Sequence, residues 1–337
     1  MFQSRYMNLR IIKGGILDTV QDNGRYGYQY LGVNPGGTMD RLSAQIANIL
    51  VGNSLNEAVI ELHFPASEFF FEQPALISIS GADFMASING DEVPRHQPIL
   101  VSKFSILQFY RMKAGARAYL SIRGGFDLKK WFNSVSTNLK AMAGGYKGRI
   151  LQKEDEIGIQ SDEILTSLLG KKEYRILPWK ADIGWEDKHV TELLALPGNE
   201  WEQLTAPSKE SLEQASFMIT SHSDRMGYRL SGQILSPTSK EELVSSAVSF
   251  GTVQLLPDGQ LIVLMADHQT TGGYPRVAHV ISAHHSRLAQ LNPGERIQFK
   301  LCDHVVAESL MAKQQQHVLQ LEYACKFKLE GMGIMPR

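Results

Sequence analysis

Hydrophobic residues recur with two different spacings in the first half of the chain. Between Phe69 and Ile122, short runs rich in valine, isoleucine and aromatic residues alternate with Gly, Pro, Asn or Asp, which is typical of closely spaced β-strands. Residues 41–51 instead carry apolar side chains at helical spacing, and Asp40 stands where a helix N-cap is expected. The pattern predicts a mainly β fold, a sandwich or barrel, with a few short helices.

The second half of the chain shows the same strand-like pattern. Predicted strands cover residues 174–177, 217–220, 251–255, 261–265 and 296–301, and a predicted helix covers residues 307–326. Residues 160–173 are polar and charged, and we interpret them as a linker. The predicted domains are residues 8–160, residues 174–305 and a helical tail at 306–337. Residues 1–6 are expected to be an irregular leader, and the tail beyond Glu330 is expected to be loose.

Two short motifs occur once in each half of the chain. Asp22-x-Gly24-Arg25-x-Gly27-Tyr28 is similar to Ser223-Asp224-Arg225-x-Gly227-Tyr228, and Gly81-Ala82-Asp83 is similar to Met265-Ala266-Asp267. Self-similarity at this distance suggests that one β-rich unit has been duplicated. Two similar lobes would have a cleft between them.

Composition and charge exclude several classes of function. Lysine and arginine number 34 against 35 acidic residues, so the sequence shows no basic surface for nucleic acid or for an anionic membrane. No apolar run has the length of a bilayer span, and the N-terminus lacks the apolar core of a signal peptide. The two cysteines have no zinc-ligand spacing. We therefore expect a cytoplasmic protein with reduced thiols.

Histidines do not suggest a metal site. His279, His284 and His285 lie close together, but neither spacing among them is that of a standard metal-binding motif. We predict that they are solvated and that the chain binds no metal.

Unusual polar residues concentrate in two blocks of the second half. These blocks are Ser223-Asp224-Arg225-Met226-Gly227-Tyr228-Arg229-Leu230 and Gln269-Thr270-Thr271-Gly272-Gly273-Tyr274-Pro275. Donor and acceptor side chains beside glycines favour a pocket for a small polar ligand. The alternative is that the second block is only a tight turn between strands.

The two blocks, with a third motif near the N-terminus, carry a family resemblance. The third motif is Thr19-Val20-Gln21-Asp22-x-Gly24-Arg25-x-Gly27. The three motifs occur in the same order along the chain as in the allophanate hydrolase subunit 2 family, which is also called KipA-like or the C subunit of 5-oxoprolinase. The sequence resembles this family over about residues 9–302. This family is similar to part of the carboxyltransferase domain of urea carboxylase.

The resemblance implies a fold, an activity and partners. It implies two cyclophilin-like β-barrel lobes that work with a KipI-like subunit 1 and a LamB-like subunit. Together these subunits would open the cyclic amide 5-oxoproline to glutamate in a hydrolase reaction that uses ATP. One alternative is a biotin-dependent carboxyltransferase acting on urea or a related amide, or an allophanate hydrolase subunit 2. Another is a KipA-like regulator without chemistry of its own, which binds a KipI-like kinase inhibitor.

Amide chemistry gives the polar residues candidate roles. Backbone N–H groups of Thr271, Gly272 and Gly273, with Arg225 or Arg229, could hold an oxyanion. Asp224 could orient an arginine, or the Asp224 and Arg225 side chains could simply pair and brace a turn. Gln254 and Gln269 are candidates for amide recognition, because each carboxamide has a donor and an acceptor face.

The remaining candidates have equally good structural explanations. Tyr228 and Tyr274 could form pocket walls or could be packed in the core. Asp22, Arg25 and Glu61 could face the same cleft or could form ion pairs near the first turn and helix. The predicted catalytic residues are Asp224, Arg225, Arg229 and Thr271, and the predicted substrate-binding residues are Asp22, Arg25, Glu61, Tyr228, Gln254, Gln269, Thr270, Gly272, Gly273 and Tyr274.

Missing motifs bear on cofactors. The sequence has no Gly-x-x-x-x-Gly-Lys-[Ser/Thr] loop, so ATP used by the complex would be handled by a partner or by an unrecognised site. No Met-Lys-Met segment offers a lysine for biotin, so biotin would arrive on another chain. We therefore expect one subunit of a catalytic assembly, with no covalently bound cofactor.

Overall fold

The computed structural model describes residues 6–160, 163–183, 192–239 and 243–335. These residues form two compact units. The first contains residues 6–24, 40–160, 163–183 and 317–335, and the second contains residues 25–39, 192–239 and 243–316. Residues 1–5 of the predicted leader lie outside the described residues.

In its described residues, the first unit consists of two six-stranded sheets. Their orders are β11-β1-β4-β9-β6-β7 and β12-β8-β5-β10-β3-β2. The strands are β1 (Tyr6–Lys13), β2 (Thr19–Gln21), β3 (Val59–Leu62), β4 (Glu68–Phe71), β5 (Ala75–Asp83), β6 (Ala86–Ile88), β7 (Asp91–Glu92), β8 (Pro98–Val101), β9 (Ile106–Phe109), β10 (Ala114–Ile122), β11 (Glu156–Gln160) and β12 (Tyr174–Ile176). Alternate residues such as Leu9, Ile11, Phe69 and Phe71 are fully buried in one core, as the period of two requires.

The predicted first helix is confirmed as α1 (Arg41–Val51). The Asp40 carboxylate accepts a hydrogen bond from the Ser43 backbone N–H at 3.0 Å, which satisfies an otherwise unpaired donor of the first turn. Gly52 ends the helix with a φ of 75°, a conformation that glycine adopts without steric cost. The helix packs against β5 and β10.

The linker interpretation of residues 160–173 is wrong. They contain helix α2 (Glu163–Leu169), and Leu165 and Leu169 are buried in a core cluster with Leu76. These leucines are four residues apart and lie on one helix face, although the polar composition around them hides the pattern. The next strand, β12, pairs antiparallel with β8 in the first unit, whereas the sequence-based range placed it at the start of the second lobe.

The predicted C-terminal helix is confirmed and is longer than expected, as α5 (His304–Glu330). The expectation of a loose tail beyond it is wrong. Ile334 is fully buried and packs with Leu329 and Val51, and the Met335 carbonyl accepts a hydrogen bond from Arg123. Buried apolar area and a satisfied backbone carbonyl therefore hold this segment against the first unit.

The described residues of the second unit form a closed seven-stranded barrel with an additional two-stranded ladder. The barrel order is β13-β20-β17-β18-β15-β14-β21, and the ladder joins β16 to β19. The strands are β13 (Glu192–Pro197), β14 (Ser216–Ile219), β15 (Gly227–Ser231), β16 (Ser246–Ala247), β17 (Thr252–Leu255), β18 (Leu261–Leu264), β19 (Thr271–Gly272), β20 (Arg276–Val280) and β21 (Arg296–Leu301), and the helices are α3 (Ala206–Gln214) and α4 (His285–Ala289). The predicted mainly β class is confirmed.

Strand β17 separates the barrel core from a polar face. Val253 and Leu255 belong to the core cluster, so Thr252 and Gln254 lie on the other face of the strand, where they are also buried. On β20, Ala278 pairs with Val253 and Arg276 pairs with Gln254, which leaves Val277 as an extra residue. This β-bulge brings Arg276 opposite Gln254.

Candidate functional site

Arg225 of the first polar block forms a two-point ion pair with Asp267. Arg225 Nε donates to Asp267 Oδ2 at 2.8 Å and Nη2 donates to Asp267 Oδ1 at 3.2 Å. Nη2 also donates to the Gly37 carbonyl at 2.5 Å, and the Arg225 side chain is buried. The Asp267 N–H donates to the Arg225 carbonyl at 2.8 Å. The arginine is therefore held in one geometry by charge-assisted bonds.

Asp224, the neighbour proposed as a pairing partner, has a different role. Its carboxylate accepts from the backbone N–H groups of Met226 at 2.7 Å and of Gly227 at 3.2 Å. This is an Asx turn, which shapes the entry to β15.

The segment before the first helix belongs to the same cluster. Asn34 Nδ2 donates to the Asp267 carbonyl at 3.0 Å, and the Arg25 N–H donates to the Pro35 carbonyl at 2.8 Å. At Gly36, where φ is 62°, an added Cβ would lie 3.0 Å from Arg25 Nη1 and 3.4 Å from Asp267 Oδ1. A glycine is needed there for both the backbone conformation and the close approach of the two side chains.

Two glutamine side chains meet on the polar face of β17. Gln269 Nε2 donates to Gln254 Oε1 at 3.4 Å, and Gln254 Nε2 donates to the Tyr274 carbonyl at 3.5 Å. A Cβ added at Gly272 would lie 2.7 Å from Gln254 Nε2 and 3.4 Å from Gln269 Nε2. The glycine thus leaves the space that the two carboxamides occupy.

The second polar block runs beside these carboxamides as the ladder of β16 and β19. Ser246 pairs with Gly272, and the Val248 N–H donates to the Thr270 carbonyl at 3.2 Å. Thr271 and Tyr274 are exposed, so this part of the polar face is open to solvent. The block is therefore a short ladder with two carboxamides beside it, and not merely a turn.

Arg276 and Glu200 form a second two-point ion pair next to the glutamines. Arg276 donates to Glu200 through Nε at 2.9 Å, Nη2 at 2.7 Å and its backbone N–H at 2.8 Å. These hydrogen bonds lower the pKa of Glu200 and raise the pKa of Arg276. Sequence reasoning missed this pair and Asp267, because the partners are far apart in the chain and only the strand register brings them together.

The prediction of solvated histidines is wrong for His284, and the other histidines near the site are also largely shielded. His284 is buried, and burial lowers the pKa of His279 and of His268 below the ordinary value. His279 Nδ1 lies 3.4 Å from Thr252 Oγ1, and His268 Nδ1 donates to the Gln269 carbonyl at 2.5 Å. In the described parts of the chain, no group of three or more His, Cys, Asp or Glu side chains is arranged to hold a metal ion.

Comparisons with known proteins decide the family. The family described as carboxyltransferase domain, subdomain A and B, matches residues 31–301. The chain belongs to this carboxyltransferase domain family. The C subunit of the Haemophilus influenzae 5-oxoprolinase is 36% identical over 90% of this chain and 94% of that protein. The C subunit of the Escherichia coli 5-oxoprolinase is 35% identical over 91% of this chain and 95% of that protein.

A solved structure with the same fold contains the carboxyltransferase domain inside a much longer chain. The crystal structure of the Kluyveromyces lactis urea amidolyase superposes with a TM-score of 0.83 at 25% identity. It covers 95% of this chain, and this chain spans only 20% of the amidolyase chain. In that relative the domain is one part of a longer polypeptide.

The carboxyltransferase domain match includes the polar face but not every predicted site residue. Arg225, Gln254 and Gln269 lie inside the matched range, whereas Asp22 and Arg25 precede it. The whole of α5 follows it. The matched range therefore contains the glutamine pair and the Arg225–Asp267 pair together.

Two predicted site residues of the first unit are bound within that unit. The Asp22 carboxylate accepts from the hydroxyls of Ser134 and Ser136, each at 2.6 Å, and from the Val135 N–H at 2.7 Å. Glu61 is fully buried and accepts from the Tyr119 hydroxyl at 2.9 Å. Both geometries are those of residues that brace a fold.

The two β15 candidates lie on opposite faces of their strand. Tyr228 is buried in the barrel core, and its hydroxyl donates to the Leu291 carbonyl at 3.4 Å. Arg229 is exposed on the outer face. The structure thus groups Gln254 and Gln269 with residues 270–274, and it separates Tyr228 and Arg229 from each other.

His284 gives the carboxyltransferase domain a predictable pH dependence. Its Nδ1 accepts from the Leu194 N–H at 3.0 Å, which requires an unprotonated Nδ1, and burial with the nearby Arg287 charge lowers its pKa to about 4. The unfolded chain has the ordinary pKa of 6.5, so between pH 6.5 and 4 only the unfolded chain binds this proton. Stability is therefore fully present above pH 6.5 and is lost as the pH falls towards 4.

The measurement is urea unfolding of the wild type and His284→Asn at pH 7.5 and 5. Asparagine can retain an acceptor near the Leu194 N–H but does not titrate. When the pH is lowered from 7.5 to 5, we expect the free energy of unfolding to fall by about 2 kcal/mol more in the wild type than in the variant. Equal losses in both proteins would contradict the assignment, because the other buried histidines are common to both.

Proposed function

We propose that this chain is the C subunit of a 5-oxoprolinase, a hydrolase that opens the cyclic amide 5-oxoproline to L-glutamate. The supporting observation is the match to two proteins of that name over at least nine-tenths of both chains. The match covers 94% and 95% of these two relatives' own length, whereas this chain spans only a fifth of the urea amidolyase chain.

The polar face of the second unit supports amide binding. Gln254 and Gln269 offer carboxamide donors and acceptors, and the backbone of residues 270–274 runs beside them. A small amide bound there would be oriented by hydrogen bonds, while N–H groups of Thr271–Gly273 are the candidates for holding an oxyanion. The Arg225–Asp267 pair then acts by holding the neighbouring turn and the residue 34–37 segment in place.

The proposed assembly contains a KipI-like subunit 1 and a LamB-like subunit in the cytoplasm. ATP is a substrate of the assembly, and we assign its binding to the partner subunits, since this sequence has no phosphate-binding loop. No helix in the described parts of the chain is long and apolar enough to cross a membrane.

Reconstitution tests this function. The purified chain is mixed with its KipI-like and LamB-like partners, and glutamate release from 5-oxoproline is measured with and without ATP. We expect release only when all three proteins and ATP are present. A tight complex that releases no glutamate would contradict the proposal and would favour a KipA-like regulator that binds a KipI-like kinase inhibitor.

A second candidate is a biotin-dependent urea or amide carboxyltransferase, and the family match and the fold of the urea amidolyase favour it. Biotin would be supplied on another chain. The test is transfer of labelled carboxylate from a carboxylated biotin carrier to urea by the purified chain. Transfer at a rate that depends on the carrier, without 5-oxoproline turnover in the assembly, would replace the first proposal with this one.

A further inference from the structure

The glutamine pair has hydrogen-bonding capacity that the described chain uses poorly. Gln254 is only 1% exposed, yet its hydrogen bonds to Gln269 and to the Tyr274 carbonyl are 3.4 and 3.5 Å long. Ordinary N–H···O bonds are about 2.9 to 3.0 Å long, and buried amides usually achieve them. Bonds of this length are weak, so the two carboxamides satisfy each other only in part.

The two glutamines differ in accessibility. Gln254 is buried and receives the Gln269 amide, whereas Gln269 is half-buried and lies just before the exposed Thr271. A carboxamide has two N–H groups and a carbonyl with two lone pairs. After one N–H of Gln269 is given to Gln254, its other N–H and its carbonyl can form one hydrogen-bonding edge.

Gly272 leaves the room that the two carboxamides need in order to lie side by side. A Cβ at this position would come within 2.7 Å of Gln254 Nε2 and 3.4 Å of Gln269 Nε2, and it would touch Val248 Cγ1 at 3.5 Å. Gly272 is not among the glycines with positive φ, so its backbone conformation does not require glycine. The reason for a glycine here is the space that a side chain would take. Alanine there would press on both carboxamides.

We propose that Gln269 binds the edge of a cis amide, with Gln254 as the residue that positions it. In a lactam or in urea, an N–H and the C=O point to the same side, so both can pair with one carboxamide edge. An open-chain secondary amide is trans and presents these groups on opposite sides, and its cis form is rare. The inference rests on the proposed function and adds to it the side chain that would select a substrate with its N–H and C=O on the same side.

Ligand-observed NMR titration of the full chain tests this selectivity. The probes are 5-oxoproline, 2-pyrrolidinone, N-methyl-2-pyrrolidinone, and the trans amide N-methylacetamide. We expect 2-pyrrolidinone to bind about tenfold more tightly than the N-methylated ring or the trans amide, since each of these forfeits one hydrogen bond. Equal affinity for 2-pyrrolidinone and its N-methyl derivative would overturn the inference.

Variants identify the responsible side chain. Gln269→Glu keeps the size but removes the N–H donors, and we expect it to lose about tenfold in 2-pyrrolidinone affinity and most of the selectivity. Gln315→Glu, on the exposed surface of α5, is the matched control and should bind like the wild type. Unfolding curves confirm that both variants are folded. Unchanged selectivity in folded Gln269→Glu would also overturn the inference.

The assembly assay separates this inference from the proposed function. If Gln269→Glu releases glutamate with unchanged KM in the reconstituted complex, the recognition role is wrong while the function stands. If the wild-type complex releases no glutamate but the chain still selects 2-pyrrolidinone, the function is wrong while the recognition role stands.

Discussion

Replacing Arg225 by alanine is expected to lower the free energy of unfolding by about 3 to 5 kcal/mol. The variant leaves the Asp267 carboxylate without its two-point partner and removes a donor from the Gly37 carbonyl. Burial of the arginine makes the loss larger than for a surface ion pair, which contributes about 0 to 1 kcal/mol. Urea unfolding of the wild type and of Arg225→Ala at neutral pH measures this change in the free energy of unfolding.

Arg229→Ala is the matched control for this prediction. It removes the same side chain type four residues away, on the exposed face of β15, and it should change stability by no more than about 0.5 kcal/mol. The Arg225→Ala, Asp267→Ala double variant should be less destabilised than the sum of the two single variants, because both remove one interaction. Additive losses, or similar losses in Arg225→Ala and Arg229→Ala, would show that the pair is not the cause.

Replacing Gly198 by alanine is expected to cost about 3 kcal/mol, at the upper end of the range for overpacking. An added Cβ would lie 2.0 Å from the Arg276 carbonyl oxygen, a backbone atom that cannot rotate away. The Gly198 N–H donates to the Val277 carbonyl, and the Glu200 N–H donates to the Arg276 carbonyl. The turn at residues 198–200 therefore lies directly against the β-bulge of β20. We expect the Glu200–Arg276 pair to be displaced as well.

Thermal and urea unfolding of Gly198→Ala measure this cost. Gly14→Ala is the control, since its added Cβ would meet the nearest atom at 3.4 Å, an ordinary contact distance. In the reconstituted assembly, Gly198→Ala should also weaken turnover, because Arg276 lies opposite Gln254. A Gly198→Ala protein as stable as Gly14→Ala would mean that the turn can move away from β20 at little cost.

Elements with a regular local pattern could be predicted from the sequence. The helix at 41–51 and its Asp40 cap follow from apolar spacing and a capping carboxylate, and strands such as 261–264 follow from β-branched runs. Helix α2 could not be predicted, because its few buried leucines lie among polar residues and gain their stability from the core they contact.

The candidate site could be predicted only in part. Chemistry alone singled out Gln254 and Gln269, since carboxamides suit amide ligands, and the structure places the two side chains together. The same reasoning offered Asp224, the sequence neighbour, as one possible partner of Arg225, whereas the actual partner is 42 residues away. A charge pattern cannot choose among distant partners without the strand register.

The sequence by itself determined the mainly β class, the first helix with its cap and the polar blocks that carry the family resemblance. These depend on side-chain periodicity and residue chemistry within short stretches. The tertiary structure alone decided that residues 25–39 join the second unit, that Arg276 meets Glu200 and that Gln254 supports Gln269. Each of these depends on long-range pairing of strands and loops, whose free energy comes from packing and hydrogen bonds between residues far apart in the chain.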